Sequence, residues 1–118
     1  MNFAGVRGLP ICFMIQNNQI ALDTINSAQS GAETFGDKGH AMGIPAWTID
    51  GSDPALFYAS TAVAKEFAKD GCGATLIHVE TMRGCGHAHH HDDLYLGASS
   101  GNPPGYVDRE LLLSLIHI

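Results

Sequence analysis

Three short apolar runs punctuate the sequence, and each is cut off by polar or turn-forming residues. Gly8-Leu9-Pro10-Ile11-Cys12-Phe13-Met14-Ile15 stops at four amides, Gln16-Asn17-Asn18-Gln19. Ala46-Trp47-Thr48-Ile49 stops at Asp50-Gly51, and Ala74-Thr75-Leu76-Ile77-His78-Val79-Glu80 stops before a segment rich in glycine and histidine. A continuous apolar run such as the first reads as a strand buried on both faces, as in a parallel sheet covered by helices; by pattern alone it also fits a buried helical turn. Asp50-Gly51-Ser52-Asp53-Pro54 is a turn into the clearest helix, with Asp53 as N-cap and Pro54 at the first helical position. Leu56, Ala59, Val63 and Phe67 recur at helical spacing and predict its apolar side, while Gly71 and Gly73 end it. A shorter helix is predicted around residues 35–42, closed by Gly43 and Pro45. Residues 21–36 read as a long irregular segment, as do residues 82–108, after which Asp108 is placed to cap a last helix.

The order strand, helix, strand, helix, strand predicts an α/β fold: a three-layer arrangement with a parallel sheet, right-handed crossovers and flanking helices. Ligands of such sheets bind beyond the carboxyl ends of the strands. Asn17-Asn18, Asp50-Gly51 and the His-rich loop therefore belong to one rim.

Composition narrows the function classes. The 118 residues suffice for one domain, and six Lys+Arg against twelve Asp+Glu leave a net charge of −6. Nucleic acid and anionic membrane surfaces are disfavoured as partners, because both need clustered positive charge. The longest apolar run, from Leu9 to Ile15, is far short of the about 20 residues of a membrane span. Cys12, Cys72 and Cys85 are an odd number at unrelated spacings, which fits neither a disulfide framework nor a paired metal site. With no secretory signal in the first ten residues, the expected location is cytoplasmic.

Two segments carry chemistry. In Gln16-Asn17-Asn18-Gln19-Ile20 an Asn amide oxygen and a main-chain carbonyl can bind a hard cation, or the segment is simply a polar turn ending a strand. Arg83-Gly84-Cys85-Gly86-His87-Ala88-His89-His90-His91-Asp92-Asp93 admits three readings: a phosphate-facing loop, a zinc site drawing on Cys85, the histidines and Asp92, or a solvated polar loop. Adjacent loop residues rarely converge on one tetrahedral ion, which weakens the zinc reading. His40 and His78 read as structural residues and Trp47 as core. No dinucleotide fingerprint or Walker lysine motif is present.

Together these segments resemble the alpha subunit of thiamine-diphosphate-dependent 2-oxoacid dehydrogenases, the decarboxylating component of the pyruvate and branched-chain 2-oxoacid dehydrogenase complexes. The family's L-P-x-x-F strand leading to E-N-N-x-Y-A is similar to the stretch from Leu9 to Ala21. Its G-I-P-x-x-x-V-D-G-x-D resembles the stretch from Gly43 to Asp53, and its P-T-L-I-E-x-x-T-Y-R-x-x-G-H-S the stretch from Ala74 to Ala88. The resemblance implies that Asn18 and the backbone carbonyl of Ile20 bind Mg²⁺, which holds the diphosphate of thiamine diphosphate. It implies that His87 contacts the diphosphate and helps hand the acyl group to a lipoyl acceptor, and that Arg83 orders that loop or faces the phosphates. The implied partners are a beta-type dehydrogenase subunit, the lipoyl domain of the acyltransferase and a small 2-oxo acid.

Several positions depart from the pattern. Ala88 stands where many members carry a phosphorylatable Ser, Ile20 replaces an aromatic residue and Gln16 a Glu, and Asp92-Asp93 comes one residue late. The family's Gly-Asp-Gly, with a further Mg²⁺ ligand, is expected before Asn18 and is not found in the 17 residues there. Residues 1–112 are therefore expected to be the C-terminal part of a thiamine-diphosphate-binding domain, inactive alone. Residues 113–118 resemble translated sequencing-adapter sequence and are set outside it. The rival readings are a metal-dependent hydrolase or lyase built on the His-rich loop, and a non-catalytic interaction module.

Overall fold

A computed structural model describes residues 1–22, 24–83 and 87. They fall into two units, one of Met1–Asn17 with Gly31–Glu80, the other of Asn18–Ser30 with the described residues from Thr81 onward.

The first unit is a parallel sheet between helices. Its strands are β1 (Cys12–Asn17), β4 (Ala46–Asp50) and β5 (Thr75–Glu80), in the order β1-β5-β4. β5 lies in the middle and is buried from Thr75 through Val79, as expected of an apolar strand sandwiched by helices. The register brings Phe13, Leu76 and Ala46 level, then Ile15, His78 and Thr48, then Asn17, Glu80 and Asp50.

Side chains alternate between the two faces. On one, Leu76 packs with Ala4, Ile44 and Ala74, flanked by Phe13, Ile15 and Ala46. Ala4 comes from α1 (Asn2–Arg7), which Gly8 closes at φ +60, a left-handed cap that costs glycine little. The short α2 (Asp37–His40) lies close to the sheet: a Cβ on Gly39 would meet Leu76 Cδ2 at 2.9 Å and Ala46 Cβ at 3.0 Å. On the other face Ile49, Ile77 and Val79 pack against Ala64 of α3 (Pro54–Lys69), with Trp47 and Phe57 partly buried beside them. Burying each large aliphatic chain of β5 contributes about 1.5–3 kcal/mol. The three-layer α/β prediction is met in this unit.

Three expectations need correction. β1 is not buried on both faces: Phe13 and Ile15 are half-buried, whereas Cys12, Met14 and Gln16 are exposed, because they alternate onto the face of Ile77 and Val79, where the apolar cluster under α3 sits over β4 and β5 and not over β1. The inward side of α3 is set by Phe57, Ser60, Ala64 and Phe67; Leu56, Ala59 and Val63, one position earlier in the turn, face outward. Residues 21–36 are not irregular throughout, since β2 (Ile20–Ala21) pairs antiparallel with β3 (Thr24–Ile25) and a 3-10 turn follows at Asn26–Ala28. That hairpin and turn belong to the second unit. The predicted helix capped by Asp108 and the tail at residues 113–118 lie outside the described residues. Among the described residues, no helix is long and apolar enough to cross a membrane.

Candidate functional site

The carboxyl ends of the three parallel strands are level, with Asn17 paired to Glu80 and Glu80 to Asp50. The strand ends on which the predicted rim was based are therefore level, and Asn18 and Thr81 each follow one of them by one peptide bond; most of the His-rich loop lies outside the described residues. At the third end Gly51 N–H donates to the Glu80 carbonyl at 2.7 Å. Ser52 donates to Asp50 Oδ1 through N–H at 2.8 Å and Oγ–H at 2.7 Å, and these bonds hold the Asp50 carboxyl below the usual carboxylate range.

Asn18 starts a tight polar turn. Its Oδ1 accepts from Ile20 N–H at 3.2 Å, and Gln19 between them takes φ +67. A left-handed non-glycine residue costs on the order of 1 kcal/mol, and such residues concentrate at functional sites. Gln19 O accepts from Asn26 N–H at 3.0 Å, so the hairpin that follows helps hold the conformation. Asn18 is half-buried and Ile20 is 6% exposed. The donor set suits a small hard cation: the Asn18 amide oxygen and the Ile20 main-chain carbonyl are neutral oxygens from one short turn, the ligand chemistry of magnesium.

Arg83 and His87 meet, with Arg83 Nη2 3.2 Å from His87 Nδ1. A guanidinium only donates, so in this geometry Nδ1 accepts and the ring proton resides on Nε2. His87 is exposed. The pair thus presents an N–H donor together with a fixed positive charge, a combination suited to anionic oxygen.

Sequence reasoning did not foresee the link between Asn17 and His78. His78 is buried in the central strand, with Nε2 3.1 Å from Asn17 Nδ2 and Nδ1 3.1 Å from Thr48 Oγ1. The signal was the polar residue inside an apolar run, but its partners lie 61 and 30 residues away and depend on strand register. His40, exposed, has Nε2 3.2 Å from the Ala46 carbonyl, a local structural bond. Among the described residues, no group of three or more His, Cys, Asp or Glu could hold a metal ion. Cys85, Ala88, His89, His90, His91, Asp92 and Asp93, on which the zinc reading rests, lie outside the described residues.

A family model described as Dehydrogenase E1 component matches residues 1–96. The chain is 46% identical over 83 residues to the pyruvate dehydrogenase E1 component subunit alpha of Bacillus subtilis (strain 168), and 46% identical over 83 residues to that of Bacillus cereus. The corresponding protein of Staphylococcus aureus (strain Mu50) is 42% identical over the same length. Each match takes in 70% of this chain and 22% of the relative, so the chain spans about a fifth of the length of the curated relatives it matches. The three motifs, the parallel sheet that levels their strand ends and the family match agree: this chain belongs to the dehydrogenase E1 component family, as sequence of its alpha subunit.

Proposed function

We propose that this chain is part of an alpha subunit that, with thiamine diphosphate and Mg²⁺, decarboxylates a 2-oxo acid and passes the acyl group to a lipoyl acceptor. The observation that carries this reading is a pair of polar segments, Asn18 to Ile20 and Arg83 with His87, that issue from the adjacent strand ends Asn17 and Glu80. Asn18 Oδ1 and the Ile20 carbonyl hold Mg²⁺ in this reading. Both are neutral, so a bound diphosphate completes the charge balance of the ion. Bound thiamine diphosphate supplies the electron sink for carbon–carbon cleavage. His87 donates Nε2–H to an anionic oxygen, and Arg83 fixes the ring that does so while adding its own charge. The name of the relatives makes pyruvate the first 2-oxo acid to test. A beta-type subunit, the lipoyl domain of the acyltransferase and a cytoplasmic location complete the proposal, as does assignment of residues 1–112 to the cofactor-binding domain.

The test uses the alpha subunit carrying this sequence, assembled with its beta partner. Asn18→Ala is expected to raise the Mg²⁺ concentration for half-saturation by about tenfold or more, the scale on which metal sites respond to lost support. His87→Ala is expected to slow acyl transfer about a hundredfold, as loss of a positioned acid or base does. Stoichiometric zinc or iron, retained on dialysis and lost when His89, His90 and His91 become Ala, would overturn the proposal in favour of a metal-dependent hydrolase or lyase.

A further inference from the structure

The buried imidazole of His78 has no part in the chemistry above, yet it is bonded to the last residue of β1. Asn17, 8% exposed, presents Nδ2 to His78 Nε2 at 3.1 Å, and Thr48 Oγ1 lies 3.1 Å from Nδ1. An amide nitrogen has only protons to offer, so Nε2 accepts with its lone pair. The single proton of the neutral ring is therefore on Nδ1 and is donated to the Thr48 hydroxyl. The opposite tautomer would set two donors against each other at Asn17, and only a turned-over amide would relieve them. Phe35 stands edge-on to the imidazole, with ring centres 5.5 Å apart and planes at 73°, and packs against it. Tautomer and amide orientation are thus one joint choice, made where β1 ends and one peptide bond before Asn18.

We propose that His78 is a positioning residue for the turn at Asn18. As the Nδ1–H tautomer it locks the Asn17 amide and with it the strand exit from which Asn18 and Ile20 present their oxygens. What those oxygens bind rests on the function proposed above; the lock itself does not. Burial holds the imidazole below the usual histidine range against the opposing pull of Glu80 and Asp37, in keeping with a neutral ring.

Nitrogen-15 spectra of the selectively labelled alpha subunit carrying this sequence, assembled with its beta partner, test the lock before any cofactor is added. A protonated, pyrrole-like Nδ1 and a bare, pyridine-like Nε2 at neutral pH are expected for His78. The reverse pattern or a charged ring overturns the proposal. Thr48→Val removes the acceptor at an exposed position and should loosen the tautomer preference and move the Asn18 and Ile20 amide resonances. Calorimetric titration of the assembled enzyme with Mg²⁺ and thiamine diphosphate then compares two variants. His78→Leu fills the space without an acceptor and should weaken binding about tenfold. His78→Gln restores an acceptor and a donor and should return it to within about twofold. Equal losses in Leu and Gln would make His78 a packing residue only. Failure of the unmodified enzyme to bind Mg²⁺ and thiamine diphosphate would instead sink the cofactor reading, with the spectra still deciding the lock.

Discussion

Asp53 accepts from the N–H groups of Ala55 at 2.9 Å and Leu56 at 3.0 Å, with Pro54 following it at the helix start. Asp53→Ala strips both bonds and is expected to cost about 1 kcal/mol, seen as a lower urea midpoint at unchanged slope. Thr75 predicts the opposite sign. Its Oγ1 is buried and has no hydrogen-bond partner among the described residues, so Thr75→Val removes an unsatisfied hydroxyl and should raise stability by about 1 kcal/mol, seen as a higher midpoint. His78 adds a pH dependence. Its folded pKa lies below the ordinary value of about 6.5, so the unfolded chain binds the extra proton first. Stability from this group is full above that value and falls as pH drops from about 6.5 toward the folded pKa. Among the described residues, the groups that act on the ring are Asn17, Thr48, Phe35, Asp37 and Glu80, of which Asp37 and Glu80 carry charge. Melting temperature is expected to decline as pH falls below about 6.5, and His78→Gln should flatten that slope. The cap was legible because its pattern spans four residues; the state of His78 was not, because its partners come from other strands.

At the scale of elements, α3 shows what periodicity resolves and what it leaves open. Its limits follow from Asp53, Pro54 and the glycines after it, and they match Pro54–Lys69. Its rotation was misjudged by one residue. Counting large apolar residues favours Leu56 and Val63, but the two fully inward positions between Phe57 and Phe67 are small, Ser60 at 8% and Ala64 at 0% exposure. Small residues let the helix approach Ile49, Ile77 and Val79, and a hydropathy count cannot see that preference. Ala64→Leu should therefore overpack the contact and cost about 1–3 kcal/mol. Val63→Ala, 62% exposed, should stay within about 0.5 kcal/mol, and the reverse ranking in denaturation would restore the rotation first expected. β1 was misread for a related reason. Its run is apolar on both sides in sequence, yet only the side bearing Phe13 and Ile15 is covered by described residues.

Across the whole molecule, the parallel sheet and its level strand ends were readable from strand–helix alternation, since crossover connections force neighbouring strands to run the same way. The strand order was not. β5 comes last in the chain and lies at the centre of the sheet, and that placement is what joins the end of β1 to the end of β4 through Glu80. It also leaves the outer edge of β1 without a described partner, with Cys12 exposed, Met14 40% exposed and Ile11 38% exposed along it. Beside this edge, Pro10 and Cys12 border a groove of about 500 Å³ with Thr61, Ala64, Lys65, Ala68 and Lys69 of α3. An apolar strand edge is a template for pairing with another chain, and a single inserted charge is an effective block. Purified chain is expected to self-associate with rising concentration, read as a growing sedimentation coefficient under reducing conditions that exclude disulfide linkage through Cys12 and Cys72. Met14→Lys should suppress that growth, whereas Leu56→Lys, a charge placed on an equally accessible residue of α3 (40% exposed, as Met14 is), should not. Equal suppression by both would mean that any polar substitution on this surface, and not the β1 edge, controls association; net charge is not the cause, because each lysine brings the chain's −6 nearer zero and so weakens its self-repulsion.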